Sequence, residues 1–336
     1  MPGLLSIRIR RHAALFVAFV GGGCLSACSH PLISESTPCP NDVVIVNYPD
    51  GWVPDVPCDG DRPVVVDGGA VPGATAVIID HDGTIYYTQP FAIGRWRHGM
   101  AEEDRWVTFD NGTMLSALTI RSQSHQLFVA SPSDHAIYAI DLNANTPMHT
   151  VFVHDAGLPN GLTVSSCGDL FFTDLSLGNI FWVDPSGHAT QVNTMGSVAQ
   201  PAGIAFGPDN ALYVASVGEG SVKRFVLNGN IEESRSTVLS STSMTSNADA
   251  GVGAPHGIAF DVLGRMYLTD PTRRALLRFN ADGSHGSSVM GNLPQGSSMD
   301  FGAGPLNCAD LYIANSGPLQ RYQGANLPGA NVPWHQ

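Results

Sequence analysis

One phrase recurs along this chain: a short aliphatic stretch led by glycine, a polar turn, then a run of aromatic and β-branched residues. Gly161-Leu162-Thr163-Val164 passes through Cys167-Gly168 into Asp169–Asp174; Gly203-Ile204-Ala205-Phe206 passes through Pro208-Asp209-Asn210 into Ala211–Ser216; and Gly257-Ile258-Ala259-Phe260 passes through Leu263-Gly264 into Arg265–Asp270. Each copy reads as two short antiparallel strands joined by a tight turn, because β-branched and aromatic residues suit a pleated surface and Gly, Asn and Asp suit the turn. A unit repeated at a fixed period constrains the fold more than any other sequence property, since identical units must pack identically.

Weaker copies fill the rest: Val77–Ile79 with Thr84–Gln89, Leu118–Ile120 with Gln126–Ser131, and Met299–Phe301 with Asp310–Asn315. A third strand follows most copies, as in Ala136–Asp141, Asn179–Asp184, Val222–Val226, Leu276–Phe279 and Leu319–Tyr322, and fourth strands such as Arg105–Phe109 and Thr150–Val153 complete several units. Six four-stranded units of about 40 to 55 residues define an all-β, six-bladed β-propeller. One such meander cannot bury both of its faces, whereas a closed ring packs every sheet between two neighbours. With 37 Gly, 23 Pro and only 13% charged residues, the composition suits short strands and many turns, and no long helix is expected.

The sixth unit ends after its third strand, while Pro63-Val64-Val65-Val66 stands unpaired ahead of the first. That segment is expected to become the outer strand of the last blade. The organisation is then a leader over 1–27, a tether with a disulfide loop over 28–61, and a propeller over 62–336. The Ser/Thr-rich run Ser240–Asn247 reads as a connection between blades, and Glu102-Glu103-Asp104 as a solvated loop.

The N-terminus carries a basic run Arg8–His12, an apolar run Ala13–Val20 too short to span a bilayer, and small residues Gly21–Gly23. Leu25-Ser26-Ala27-Cys28 follows, and resembles the lipobox of bacterial lipoproteins, which implies cleavage before Cys28 and its acylation, palmitate included. Ser29 in place of an aspartate favours the outer membrane, so the expected location is the cell envelope, facing the periplasm or the surface. Cys39, Cys58, Cys167 and Cys308 remain, an even number in an oxidising compartment. Cys39 with Cys58 would close a Pro-rich loop; one or both could instead tie the N-terminal segment to a blade. Cys167 and Cys308 fall at the same place in units three apart, so a bond between them is hard to make.

Loss of Arg8, Arg10 and Arg11 with the leader takes the net charge from −13 to about −16, and Lys223 is the single lysine. No basic stripe remains to neutralise phosphates, which excludes nucleic acid as an expected partner. Asp80-His81-Asp82-Gly83 is a hairpin turn, and Asp174 and Asp270, at the ends of second strands, are expected to bond into neighbouring turns.

Leu158-Pro159-Asn160-Gly161-Leu162 and Pro255-His256-Gly257-Ile258-Ala259-Phe260 resemble two propeller groups: NHL-repeat proteins, and the senescence-marker-protein/gluconolactonase family of calcium-dependent lactonases. The likeness runs over about residues 63 to 323. It implies side chains at the residue before the glycine converging on a cation at the channel mouth. Asn160 matches the family's asparagine ligand, but Ala202 stands where an aspartate should be both ligand and general base, Ser116 where another asparagine should be, and no glutamate lies near Thr75. A hard cation wants several oxygens with carboxylates among them, so no metal or other cofactor is expected.

Around the ring the inner positions are Thr75, Ser116, Asn160, Ala202, His256 and Ser297. Thr75, Ser116, Asn160, His256 and Ser297 form the candidate ligand pocket, and no catalytic set is assigned. Polar groups in such places also serve backbone or channel water. The expected function is a membrane-anchored propeller that binds a small molecule or an envelope partner without catalysis. The alternative is a divalent-metal-dependent lactonase- or esterase-like hydrolase, the one reading that brings in Ca²⁺.

Overall fold

The structure is a computed structural model and describes residues 74–97, 103–194, 196–241, 251–304, 306, 308–316 and 319–323. Cys28, Cys39, Cys58, the closing strand Pro63–Val66, the leader and the tether lie outside the described residues.

Six antiparallel meanders follow one another along the chain, each with its strands in sequence order. Five have four strands and the last has three described strands, Met299–Phe301, Leu311–Ile313 and Gln320–Tyr322. The first strands of the six are Val77–Ile79, Ala117–Arg121, Pro159–Val164, Pro201–Phe206, Ile258–Phe260 and Met299–Phe301. Each packs against the first strand of the next meander, and the sixth returns to the first. This is a six-bladed propeller with the first strands around its axis. Glu103, read as part of a loop, instead begins the outer strand Glu103–Thr108, paired with Ala92–Trp96. Among the described residues the single helical element is a 3₁₀ turn, Ser122–Ser124.

The core confirms the ring. It divides into six apolar clusters, each straddling one pair of adjacent blades: Tyr86, Val107 and Phe109 of the first with Leu127 and Val129 of the second, and so on to Leu306, Tyr312 and Ala314 of the sixth with Val77, Ile85 and Tyr87 of the first. Second strands are sandwiched on both faces, so Ile85–Gln89, Leu170–Asp174, Leu212–Ser216 and Met266–Asp270 are buried at every residue. That is why each opens on three consecutive large apolar or aromatic residues rather than on an alternation. Burying one Phe, Leu or Ile side chain stabilises by about 1.5–3 kcal/mol, so closing the ring on its sixth cluster is worth several such residues.

The glycines of the repeat phrase have a tertiary cause. A Cβ on Gly161 would overlap the carbonyl oxygen of Ala202, one on Gly203 that of His256, and one on Gly257 that of Ser297. In each case the obstacle is the backbone of the next blade, which approaches too closely at the axis for any side chain.

The hairpin at Asp80–Thr84 closes as expected: Asp80 N–H donates to the Thr84 carbonyl at 2.9 Å, with Gly83 at φ 80°. Asp174 accepts from Ser176 and Leu177 within its own turn, and Asp270 from Gly253 and Ala254 of the preceding connection, so both are structural. In the lower turns Asp209, Asp261 and Asp310 pair with Arg224, Arg265 and Arg321, a device repeated over three blades.

Candidate functional site

A cavity of about 980 Å³ follows the propeller axis. Its mouth lies where the first strands begin, among the loops entering each blade and the turns between second and third strands. Met114, Pro132, Leu158, Leu175, Pro271 and Pro294 make that rim largely apolar. The opposite end is bordered by the first hairpin turns, represented by Asp80, His81, Ser122 and Ala303.

Thr75, Ser116, Asn160, His256 and Ser297 all line this one cavity. Ala202, the remaining inner position, is fully buried and its carbonyl accepts the Thr173 hydroxyl at 2.9 Å. It is absent from the described cavity wall, a correction to its place among the inner positions read from the sequence, and its methyl group offers no polar atom in any case.

Hydrogen bonding divides the other five. The Thr75 hydroxyl donates to Leu115 carbonyl at 3.0 Å, that of Ser116 to Pro159 carbonyl at 2.9 Å, and that of Ser297 to Thr75 carbonyl at 2.5 Å. Each of these bonds runs to the next blade. Thr173 to Ala202 and Thr269 to Ser297 carbonyl, at 2.7 Å, make the same link from second strands, and Gly203 N–H to His256 carbonyl at 2.7 Å supplies the last. Together they form an unbroken belt of blade-to-blade bonds around the axis. Thr75, Ser116 and Ser297 therefore spend their donors on holding the ring.

Asn160 and His256 do not belong to this belt through their side chains. Among the described residues neither side chain has a hydrogen-bond partner, and both are half-buried on the cavity wall. Their backbones are fixed: Asn160 sits within the strand Pro159–Val164, and His256 N–H donates to Thr269 carbonyl at 2.8 Å while its carbonyl accepts from Gly203. Burial holds the His256 imidazole below its ordinary pKa, so the ring is neutral at pH 7 and offers one donor and one acceptor. Two side chains on rigidly held backbone, with unbonded polar atoms on one cavity wall, are suited to receive a ligand.

Asp300 also lines the channel, and sequence reasoning missed it. It accepts from Ile79 N–H at 2.8 Å and Phe301 N–H at 2.9 Å, and burial still pushes its carboxyl up to about 7. A signal existed: three residues after each inner position the other blades place Ile78, Thr119, Thr163, Ala205 and Ala259 on the wall, and Asp300 is the one charged member of that set.

The mouth does not fit a calcium ion. It offers one amide oxygen and one imidazole, three hydroxyls already committed to carbonyls, and no carboxylate at the rim position of the fourth blade. Among the described residues no group of three or more His, Cys, Asp or Glu is placed to hold a metal.

No protein-family model matches the chain, and no curated protein matches it. Solved structures do match. A calcium-binding protein, regucalcin, from Agrobacterium tumefaciens C58 is 17% identical with a TM-score of 0.60, over 78% of this chain and 92% of its own. A luciferin-regenerating enzyme is 12% identical with a TM-score of 0.63, over 79% and 95% respectively. An auxiliary nutrient binding protein from Bacteroides thetaiotaomicron is 11% identical with a TM-score of 0.61, over 74% and 69%. The resemblance carried by the repeat phrases thus extends to the whole architecture: this chain is a six-bladed β-propeller similar in fold to enzymes and binding proteins alike.

Proposed function

We propose that this protein is a lipid-anchored envelope propeller that binds a small molecule in its axial cavity, with Asn160 and His256 as the recognising groups. The observation that carries the reading is the division of the inner ring, in which three hydroxyls serve the blade belt and these two side chains stay unbonded on the wall. The volume is in the range of small-ligand pockets, and a mostly apolar wall with few polar groups is their usual make-up. No Lys or Arg is found among the described lining residues, while Asp80 and Asp300 are. The ligand favoured is therefore neutral or cationic, elongated and largely apolar, with an amide, carbonyl or hydroxyl able to pair with Asn160 and a neutral imidazole. That one similar structure is named a nutrient binding protein supports this reading. The anchor at Cys28 rests on the Leu25–Cys28 motif.

A chemically diverse small-molecule panel screened by thermal shift tests it. Neutral and cationic amphiphiles should raise the melting temperature more than anions do, because a ligand that binds only the folded state stabilises it. Asn160→Ala and His256→Ala should each weaken the best binder about 2- to 10-fold, the worth of one hydrogen bond. Hits that bind both variants as well as wild type would refute the assignment. For the anchor, a clickable palmitate analogue should label the wild type and not Cys28→Ala; equal labelling of the two would remove it.

The hydrolase reading has one observation in its favour: a neutral, unbonded imidazole on a cavity wall can accept a proton from water. Turnover of a lactone or ester that is lost in His256→Ala would replace the binding reading with this one.

A further inference from the structure

Asp300 stands on the strand Met299–Phe301 of the sixth blade and lines the axial cavity. Each of its oxygens is engaged once, Oδ2 by Ile79 N–H at 2.8 Å and Oδ1 by Phe301 N–H at 2.9 Å. An ionised carboxylate has about four acceptor positions, so about two remain. Among the described residues no Lys, Arg or His side chain pairs with Asp300. The cavity lining supplies no Lys or Arg, and its His81 is held by Asp80, whose Oδ1 lies 2.7 Å from the ring Nδ1. Nor does the ring need a charge at this depth. The other five blades place Ile78, Thr119, Thr163, Ala205 and Ala259 there, and their inner strands pack on their neighbours without a carboxylate. Ionising a carboxyl in such surroundings is costly without a counter-charge, and burial accordingly pushes Asp300 up to about 7. A ligand that brings its own cation removes that cost.

The position of Asp300 along the axis fixes a spacing. Ser297 lies at the level of His256, since a Cβ on the adjoining Gly257 would meet the Ser297 carbonyl. Extended backbone advances about 3.3 Å per residue, so Asp300, three residues on, lies about 10 Å deeper in the channel. The first blade spans the same depth between Thr75, which is bonded to Ser297, and Ile79, which is bonded to Asp300. Between the two levels the wall is apolar, with Leu118, Leu162, Ile204 and Ile258 on it. We propose that Asp300 is a cation subsite of the axial cavity, and that the ligand is a linear amphiphile with a protonated amine at this carboxylate and a carbonyl, amide or hydroxyl about 10 Å away at the Asn160–His256 mouth. The inference rests on the binding reading for the mouth end of the ligand, and adds to it the chemical class of the other end.

The test compares two isosteric probes, N-benzoyl-hexamethylenediamine and N-heptylbenzamide, which differ only in ending on an ammonium or a methyl group. Isothermal titration of each into the full chain is run at a pH above 7, where Asp300 is ionised. Wild type should prefer the amine by about 10-fold or more, the worth of a hydrogen bond to a charged group, and Asp300→Asn should lose that preference. Equal affinities in wild type, tighter binding of the alkyl probe, or no binding of the amine at all would overturn the subsite. So would an amine preference that survives in Asp300→Asn. If the alkyl probe then still binds and is weakened by Asn160→Ala and His256→Ala, the mouth reading stands alone. Conversely, an amine preference that needs Asp300 while affinity is indifferent to Asn160→Ala and His256→Ala would remove the mouth reading and leave the cation subsite. The comparison of the two probes in wild type decides the matter even if Asp300→Asn folds poorly.

Discussion

The Ser297 hydroxyl donates to the Thr75 carbonyl at 2.5 Å, across the seam where the last blade meets the first. Ser298 continues the seam, its hydroxyl donating to Val77 carbonyl at 3.1 Å, and Asp300 completes it by accepting from Ile79 N–H. Three side chains on one short segment, two just before the strand Met299–Phe301 and one within it, thus take the place of the main-chain pairing that two neighbouring strands of a sheet would share. A ring can open at its seam first, because that is where the two ends of the chain must be brought together against loop-closure entropy.

Ser297→Ala should therefore destabilise the fold by about 1–3 kcal/mol, since it leaves the Thr75 carbonyl unpaired in a partly buried site. Ligand affinity should change by less than about 2-fold, because that hydroxyl is already engaged. Chemical denaturation of the variant, with a binding curve for the best hit, measures both. Loss of binding with unchanged stability would mean that Ser297 serves the ligand and not the seam.

Two glycine substitutions should separate sharply. In Gly257→Ala the new methyl meets the Ser297 carbonyl, a piece of backbone that cannot swing aside, so destabilisation of about 3 kcal/mol or more is expected. Gly291, at the end of the outer strand Ser287–Gly291, has nothing within 4 Å of a built Cβ, and Gly291→Ala should shift stability by about 0.5 kcal/mol or less. Equal melting temperatures for the two variants would contradict the close approach of blades at the axis.

Asp300 gives stability a pH dependence of unusual sign. Its carboxyl titrates near 7 in the folded protein and near 3.9 in an unfolded chain, so between about pH 4 and 7 the native state holds a proton that the unfolded state has released. Its contribution is complete below pH 4 and is lost as pH rises through 7. Comparing urea midpoints of wild type and Asp300→Asn from pH 4.5 to 7.5 isolates the effect: wild type should lose ground to the variant as pH rises. Parallel profiles would show that Asp300 is not so buried in the seam.

His256 should impose the opposite dependence on ligand binding. Its pKa is lowered by burial, so affinity should be flat from pH 7 to 8 and fall only below its ordinary value near 6.5, once the imidazole protonates and loses its acceptor. Isothermal titration across this range, repeated with His256→Gln, should show that the acid limb disappears in the variant. An acid limb of the same size in both would place the titration elsewhere.

Much of this was legible in one dimension. Strand positions follow from side-chain type and turns from Gly, Asn and Asp, both local properties, so the six units could be counted and their inner positions aligned to within a residue. Alignment placed Thr75, Ser116, Asn160, His256 and Ser297 on one wall because identical units present identical positions to a common axis. The belt was also partly written in the repeats: second strands of the first, third and fifth blades carry Thr88, Thr173 and Thr269 where the others carry Ala130, Ala215 and Ala314. In the third and fifth blades that threonine reaches the next blade, and in the second and sixth an inner serine does so instead.

What the sequence alone determined is the architecture, since a repeated half-buried meander can satisfy both of its faces only in a closed ring. What the tertiary structure alone decided is the employment of each polar group on the axis. Whether a hydroxyl is spent depends on which carbonyl the next blade brings within about 3 Å, a distance between residues 28 to 222 positions apart that no local pattern encodes. That contact made fasteners of Thr75, Ser116 and Ser297 and left the side chains of Asn160 and His256 without a hydrogen-bond partner on the channel wall.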